Sequence, residues 1–197
     1  MDRLSYALGL SMGHNFLGSG IQELNIDEFA AGLRAVYGAE EKKMTFEEAK
    51  QVVTEFFSKL EETGAEMNAK LGKEFLDNNA KQEGIHVTAS GLQYQIVKEG
   101  NGPKPGINDA VTVHYTGRLI DGTVFDSSVE RGEPATFGVG QVIPGWVEGL
   151  QMMSEGSAWR LFIPAELAYG KHGTGPIQPN STLIFDVQLI KVQKNNK

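Results

Sequence analysis

Between Thr45 and about Lys81 the sequence carries an unbroken helical signal, and no proline interrupts the chain before Pro103. Ala49, Val52, Val53, Phe56, Leu60, Met67, Leu71 and Phe75 fall on or near one stripe of a helical period. Thr45-Phe46-Glu47-Glu48 is a capping box that marks where the helix begins. If helical throughout, the segment is roughly 55 Å long at about 1.5 Å per residue. That outruns a small domain, so the pattern predicts a stalk. Gly64 and Gly72 each cost it about 1 kcal/mol relative to alanine and mark places where it can bend.

Two shorter helices are expected ahead of the stalk. Leu4, Ala7, Leu8, Met12 and Phe16 lie near a helical period, ended by Gly18-Ser19-Gly20. Asn25-Ile26-Asp27-Glu28 offers an N-cap with Glu three residues on; Phe29, Leu33 and Val36 supply the apolar stripe and Gly38 the stop. These helices are too short to bury both their own stripes and the first turns of the stalk. A second copy of the chain is the economical cover; a monomeric three-helix bundle is the alternative.

Composition narrows the partners. The net charge of −7 argues against a nucleic-acid surface, because phosphate binding needs clustered Lys and Arg. There are no cysteines, which excludes disulfides, thiol catalysis and thiolate metal sites. The opening Met1-Asp2-Arg3-Leu4 does not lead into an uninterrupted apolar run, so no signal peptide is read. No apolar run approaches the roughly 20 residues a membrane helix needs. The expected compartment is the cytoplasm, or the periplasm if a leader has been removed.

The period changes from helical to two after residues 78–91, which predicts a helical domain over residues 1–84 and a second domain over 85–197. Leu92, Tyr94 and Ile96 alternate with Gln93, Gln95 and Val97, and Val111, Val113 and Tyr115 with Thr112, His114 and Thr116. Asp121-Gly122 is a hairpin signal. Residues 157–163 and 182–192 read as further strands, and Pro144 to about Met153 as one helix with proline in its first turn. The expected class is α+β: helices first, then an antiparallel sheet against one short helix.

The chemistry-bearing residues lie between Val111 and Phe185. They are mostly aromatic and aliphatic, with one carboxylate, Asp126, and one phenol, Tyr169, set apart from the strands. Such a set suits a shallow apolar pocket better than a nucleophilic site. Taken singly, Trp146 is ordinary core, Asp126 a strand-end carboxylate and Tyr169 loop packing. His14, His86, His114 and His172 are scattered without zinc spacing, so no metal is expected, and His114 reads as structural. Gly138-Val139-Gly140 and Gly173-Thr174-Gly175 lack the phosphate-loop ending and read as turns, and no GxSxG elbow is present.

Taken together, Val113-His114-Tyr115-Thr116-Gly117, Asp121-Gly122, Phe125-Asp126-Ser127-Ser128, Val142-Ile143-Pro144-Gly145-Trp146, Ala168-Tyr169-Gly170 and Leu183-Ile184-Phe185-Asp186-Val187 closely resemble, in order and spacing, the FKBP-type peptidyl-prolyl cis-trans isomerases. The resemblance spans about Gly91 to Val192. Ser5-Tyr6-Ala7-Leu8-Gly9-Leu10, Phe29-Ala30-Ala31-Gly32-Leu33 and the stalk resemble the N-terminal domain of the larger bacterial, Mip-like members. That implies an intertwined homodimer through this domain.

The resemblance also implies roles. Trp146 is the pocket floor; Tyr115, Phe125 and Phe185 are walls, with Phe137, Val142 and Ile143 beside the substrate. The Ile143 N–H and the Tyr169 hydroxyl donate to ligand carbonyls. Asp126 is a buried aspartate facing the rotating amide and kept ionised by Arg131. Ile177 is the matching loop isoleucine. Three features depart from the small members of the family: Ala135 replaces a flanking aromatic, Gln141 replaces an acidic residue, and the loop Lys171–Asn180 is shorter and glycine-rich. They bear on substrate preference and on binding of macrolide inhibitors.

The expected activity is therefore prolyl isomerisation of unfolded or partly folded chains, with no cofactor and a folding-chaperone role. The alternatives are a holdase whose pocket docks proline without catalysis, and a structural dimer with a degenerate pocket, which Ala135 alone favours.

Overall fold

The computed structural model describes residues 1–38 and 40–195. They form two compact units, Met1–Leu60 and Glu61–Lys197.

The first unit is helical. Helix α1 (Arg3–Gly18) is capped by Asp2, whose carboxylate accepts from Leu4 N at 3.0 Å. Helix α2 (Ile26–Val36) is capped by Asn25, which accepts from Glu28 N at 3.1 Å. Glu28 does not close the box; its carboxylate turns to Lys43 Nζ at 2.9 Å. Helix α3 (Phe46–Asn79) starts at a complete capping box: Glu48 N donates to Thr45 Oγ1 at 3.2 Å and Thr45 N to Glu48 Oε2 at 2.7 Å. Phe16 and Phe29 join α1 to α2 edge to face, 5.5 Å apart. Yet neither α1 nor α2 buries a single residue.

The second unit begins inside α3 and holds the core. Strands β1 (Ile85–Val87), β2 (Gln93–Lys98), β3 (Ala110–Leu119), β4 (Val124–Ser127), β5 (Ala135–Gly138), β6 (Ala158–Ile163) and β7 (Leu183–Gln193) form one antiparallel sheet in the order β1-β2-β6-β7-β3-β4. Strand β5 pairs with the first half of β3, and β4 with its second half. Along β3 the alternation expected from sequence holds: Val111, Val113, Tyr115 and Gly117 are buried, with partly exposed residues between. Helix α4 (Pro144–Met152) lies on that buried face with Pro144 in its first turn. It sits close because Gly145 has no side chain; a Cβ there would stand 2.5 Å from Ile163 Cγ2. The other face of the sheet takes the end of α3: Phe75 packs on Phe162 with ring centroids 6.0 Å apart, and Gln93 Nε2 donates to Leu76 O at 2.9 Å. Helix α3 thus ends at Asn79 and the strands begin at Ile85, while the compact units divide at residue 60, because the last turns of α3 pack on the sheet.

The end of β7 is tied down by a carboxylate. Asp109 accepts from Lys194 Nζ at 2.8 Å, Gly106 N at 2.7 Å and Asn195 N at 2.9 Å. The lysine first, then the two amides, hold its pKa down at about 2, against about 3.9 in an unfolded chain. A folded pKa below the unfolded one contributes stability above about pH 4 that is lost as pH falls towards about 2. Asp109→Asn is expected to flatten that part of the acid limb in chemical denaturation. Wild-type and variant curves running parallel from pH ~5 to ~2 would contradict this.

Candidate active site

The aromatic residues of β3, β4, β5, α4 and β7 converge on one cavity of about 680 Å³. This falls within the range of small-ligand pockets, about 300–1,000 Å³. Trp146, at the start of α4, is 4% exposed and lies across its base. Three rings meet the indole nearly edge-on: Tyr115 at 5.3 Å and 89°, Phe185 at 5.2 Å and 83°, and Phe137 at 5.8 Å and 88°. Phe125 stands edge-on to Phe185 at 5.5 Å. Edge-to-face contacts of this kind are favourable beyond the area they bury, and together they lock the floor. The walls can close over β3 because Gly117 leaves them room: a Cβ there would be 2.6 Å from the Phe125 ring and 2.7 Å from that of Phe185.

Val142 and Ile143 add the aliphatic side, and Tyr169 and Ile177 line the cavity from the loop before β7. The Ile143 carbonyl accepts from Trp146 N at 2.9 Å and Val147 N at 3.0 Å, while its own N–H donates to no other described residue. Ile177 is 5% exposed and Tyr169 39%.

One carboxylate faces this apolar space. Asp126 on β4 accepts from the Tyr115 hydroxyl through Oδ2 and from Arg131 Nη1 through Oδ1. Arg131 Nη2 also donates to the Tyr115 hydroxyl at 3.1 Å, closing a triangle. Burial works to raise the Asp126 carboxyl, but the phenol and the guanidinium outweigh it and hold its pKa below the ordinary carboxylate value. The same burial, with the carboxylate alongside, pushes the Tyr115 phenol up.

Two expectations need correction. Asp126 is not buried: its side chain is 39% exposed, because the carboxylate borders the open cavity. Arg131 does not line the cavity; its guanidinium is committed to Asp126 and Tyr115 instead. The lining also includes Gln141 and the turn Thr174-Gly175-Pro176, which were not among the expected site residues. In the sequence they were marked only as departures from the small family members, Gln141 by its lost acid and the turn by its short, glycine-rich loop. Ala135 packs against the core from β5. His114 Nδ1 lies 3.1 Å from Ser128 Oγ, a structural contact. Among the described residues no group of three or more His, Cys, Asp or Glu side chains could hold a metal ion, and no helix is long and apolar enough to cross a membrane.

Comparison with known proteins gives this geometry a family. Residues 102–190 match the family model of the FKBP-type peptidyl-prolyl cis-trans isomerases, and residues 1–96 match that of the domain amino-terminal to it. The outer membrane protein MIP of Legionella longbeachae is 48% identical over 201 residues, covering 98% of this chain and 86% of that protein. The chain belongs to the FKBP-type peptidyl-prolyl cis-trans isomerase family. The FKBP-type isomerase FkpA of Aeromonas hydrophila is 47% identical, covering 98% of this chain and 76% of that protein. The crystal structure of FkpA from Escherichia coli matches with a TM-score of 0.79 at 39% identity, over 97% of this chain and 95% of that one. In this FKBP-type fold the helical residues come first and the antiparallel sheet, with the short helix α4 on its buried face, second.

Proposed function

We propose that this chain accelerates rotation about X–Pro bonds in unfolded or partly folded polypeptides by binding the twisted amide in the aromatic cavity. The observation that carries the reading is the Trp146 floor ringed by Tyr115, Phe137 and Phe185, with the Asp126 carboxylate beside it. A peptide bond resists rotation by about 18–20 kcal/mol because the nitrogen lone pair is delocalised into the carbonyl. At X–Pro the two planar forms are nearly equal in energy, yet exchange takes tens to hundreds of seconds. A catalyst need form no covalent bond; it must bind the twisted amide better than either planar one. Twisting removes conjugation, so the carbonyl oxygen loses charge and the carbonyl carbon becomes electron-poor. Apolar walls suit the first change and a carboxylate the second. The proline ring rests on Trp146, and the Ile143 N–H and the Tyr169 hydroxyl hold the flanking carbonyls.

The test is cis–trans exchange in a short Leu-Pro or Phe-Pro peptide, followed by NMR exchange spectroscopy. Wild type is expected to accelerate exchange, and Tyr169→Phe to lose about 2- to 10-fold, the worth of one neutral hydrogen bond. A folded wild type that leaves exchange unchanged would sink the reading.

The helical residues carry a second part of the proposal. The apolar side chains of α1 and α2 stand largely exposed in a single chain, so we assign them to a homodimer through residues 1–60. Two pockets on one dimer would hold a client chain at two points. A holdase contribution, in which the two helical arms of the dimer flank a client, would survive the loss of Tyr169 in an aggregation-suppression assay. Macrolide inhibitors would enter the same cavity, with Gln141 at its edge.

A further inference from the structure

The loop that follows Tyr169 forms one wall of the cavity, and it is held from outside. Its tip closes on itself: Thr174 N donates to Ile177 O at 2.8 Å and Ile177 N to Thr174 O at 2.9 Å. At its base Asn180 N donates to Gly170 O at 2.8 Å, pinning the far end of the loop beside Tyr169. Asn180 does this with φ of 57°, the one positive value at a non-glycine residue among those described. Asparagine tolerates that region better than most residues do.

The side chain of Asn180 is not used within the loop. Its Nδ2 donates to the carbonyl of Ala65 on α3 at 3.2 Å. In return, Asn68 Nδ2 on α3 donates to the carbonyl of Pro179 at 3.0 Å. One turn further on, Gly72 is buried against Thr182; a Cβ at Gly72 would stand 2.4 Å from Thr182 Oγ1. Ala65, Asn68 and Gly72 are spaced by three and four residues, so they share one face of the helix. That face meets positions 179, 180 and 182 in succession. No residue of α3 lines the cavity itself.

We infer that Asn68, Gly72 and Asn180 are positioning residues for the isomerase site. Helix α3 clamps the base of the loop and so sets where Tyr169 and Ile177 stand in the cavity. The inference rests on the reading of that cavity as the X–Pro site. A clamp has something to hold, since Gly170, Gly173 and Gly175 all take positive φ and leave the loop backbone many alternatives. The wall contacts substrate in its planar and its twisted form alike. Loosening it therefore raises KM more than it lowers kcat.

The test uses the full chain with Asn68→Ala, which removes the clamp from the helix side and leaves the loop backbone untouched, and Asn180→Gly, which removes the side chain at a left-handed position that glycine adopts readily. Lys70→Ala, on the exposed side of α3, is the control. Two readouts are taken: the methyl resonances of Ile177, which sits among the cavity's aromatic rings, and KM and kcat for a short Leu-Pro peptide. Both clamp variants are expected to shift the Ile177 methyls and raise KM about fivefold with kcat changed less than twofold, on the scale of a sub-ångström misplacement. The control should match wild type. Unshifted Ile177 methyls and unchanged KM in both variants would overturn the inference. If wild type does not accelerate exchange at all, the reading of the cavity falls; a shifted Ile177 would still uphold the clamp, and an unshifted one would still overturn it.

Discussion

Asp126→Ala is expected to lower kcat/KM for a short X–Pro peptide by about 10- to 100-fold, the worth of one or two charge-assisted hydrogen bonds at about 1.5–3 kcal/mol. Three things are lost together. The first is the negative charge beside the electron-poor carbon of the twisted amide, an interaction stronger in the transition state than in either planar form. The second is the acceptor that fixes the Tyr115 hydroxyl, whose ring stands edge-on to Trp146. The third is the ion-pair partner of Arg131, which would then leave a cation near an apolar pocket. Arg131 is 46% exposed and can stay solvated, and Tyr115 keeps its 3.1 Å bond to Arg131, so the fold should hold. Asp126→Asn, which keeps an acceptor without the charge, should fall between wild type and Asp126→Ala. The pH profile gives an independent check. The Asp126 pKa lies below the ordinary carboxylate value. The group is therefore charged above about pH 5, and its contribution is lost only as pH falls through and below about 4. Wild-type activity should be flat from about pH 5 to 8, with an acid limb that Asp126→Ala lacks. Exchange kinetics measured on the folded variants decide the matter. Full activity in Asp126→Ala would remove the carboxylate from the mechanism.

How far such a site can be read from sequence depends on what holds each residue. The placement of Tyr115 and Trp146 was legible because local rules fix it, strand alternation turning Tyr115 inward and Pro144 starting the helix that carries Trp146, while their roles in the pocket came only from the family resemblance. The capping box at Thr45 was legible for the same reason. Strand β5 was not, and β4 was signalled only by the Asp121-Gly122 hairpin turn before it, since each has only four residues and exists by pairing with β3. A short segment shows no period of its own, and its partner is a tertiary fact. Gly72 is the clearest case. Read along the helix it marks a weak point; in the fold it is where α3 approaches Thr182 closely. Nothing in a helical pattern reports a neighbour so distant in sequence. Arg131 was legible as the partner of Asp126 but not in its distance from the cavity, because spacing along a chain does not say which side of a carboxylate a guanidinium occupies.

Deleting residues 1–60 is expected to convert a dimer into a folded monomer that keeps peptide isomerisation and loses most of its efficiency on proteins. The argument starts from what each unit buries. Every member of the buried hydrophobic core lies between Leu92 and Val192. The last turns of α3, which pack on the sheet through Phe75, remain in residues 61–197. That piece should therefore fold with its cavity and clamp intact and turn over a short Leu-Pro peptide within about twofold of the full chain, since added core is not being removed. The deleted residues present the opposite picture. Leu4, Leu10, Ile26 and Phe46 are 69%, 61%, 66% and 65% exposed in a single chain. Fixing a backbone costs about 1–2 kcal/mol per residue, and helices that bury no residue fully, with contacts such as Phe16 on Phe29, offset little of it. A second copy laid on those stripes supplies the missing core, and in a closed twofold pair each copy covers the other with the same surface. Sedimentation should give twice the chain mass for residues 1–197 and the single mass for 61–197. Catalysis of a slow, cis-proline-limited refolding reaction should fall by about tenfold or more on deletion, because a client tethered at one pocket meets the second at high effective concentration only in the dimer. A monomeric full chain would refute the dimer. Equal refolding catalysis by both chains, with the dimer demonstrated, would show that pairing the pockets contributes nothing to handling proteins.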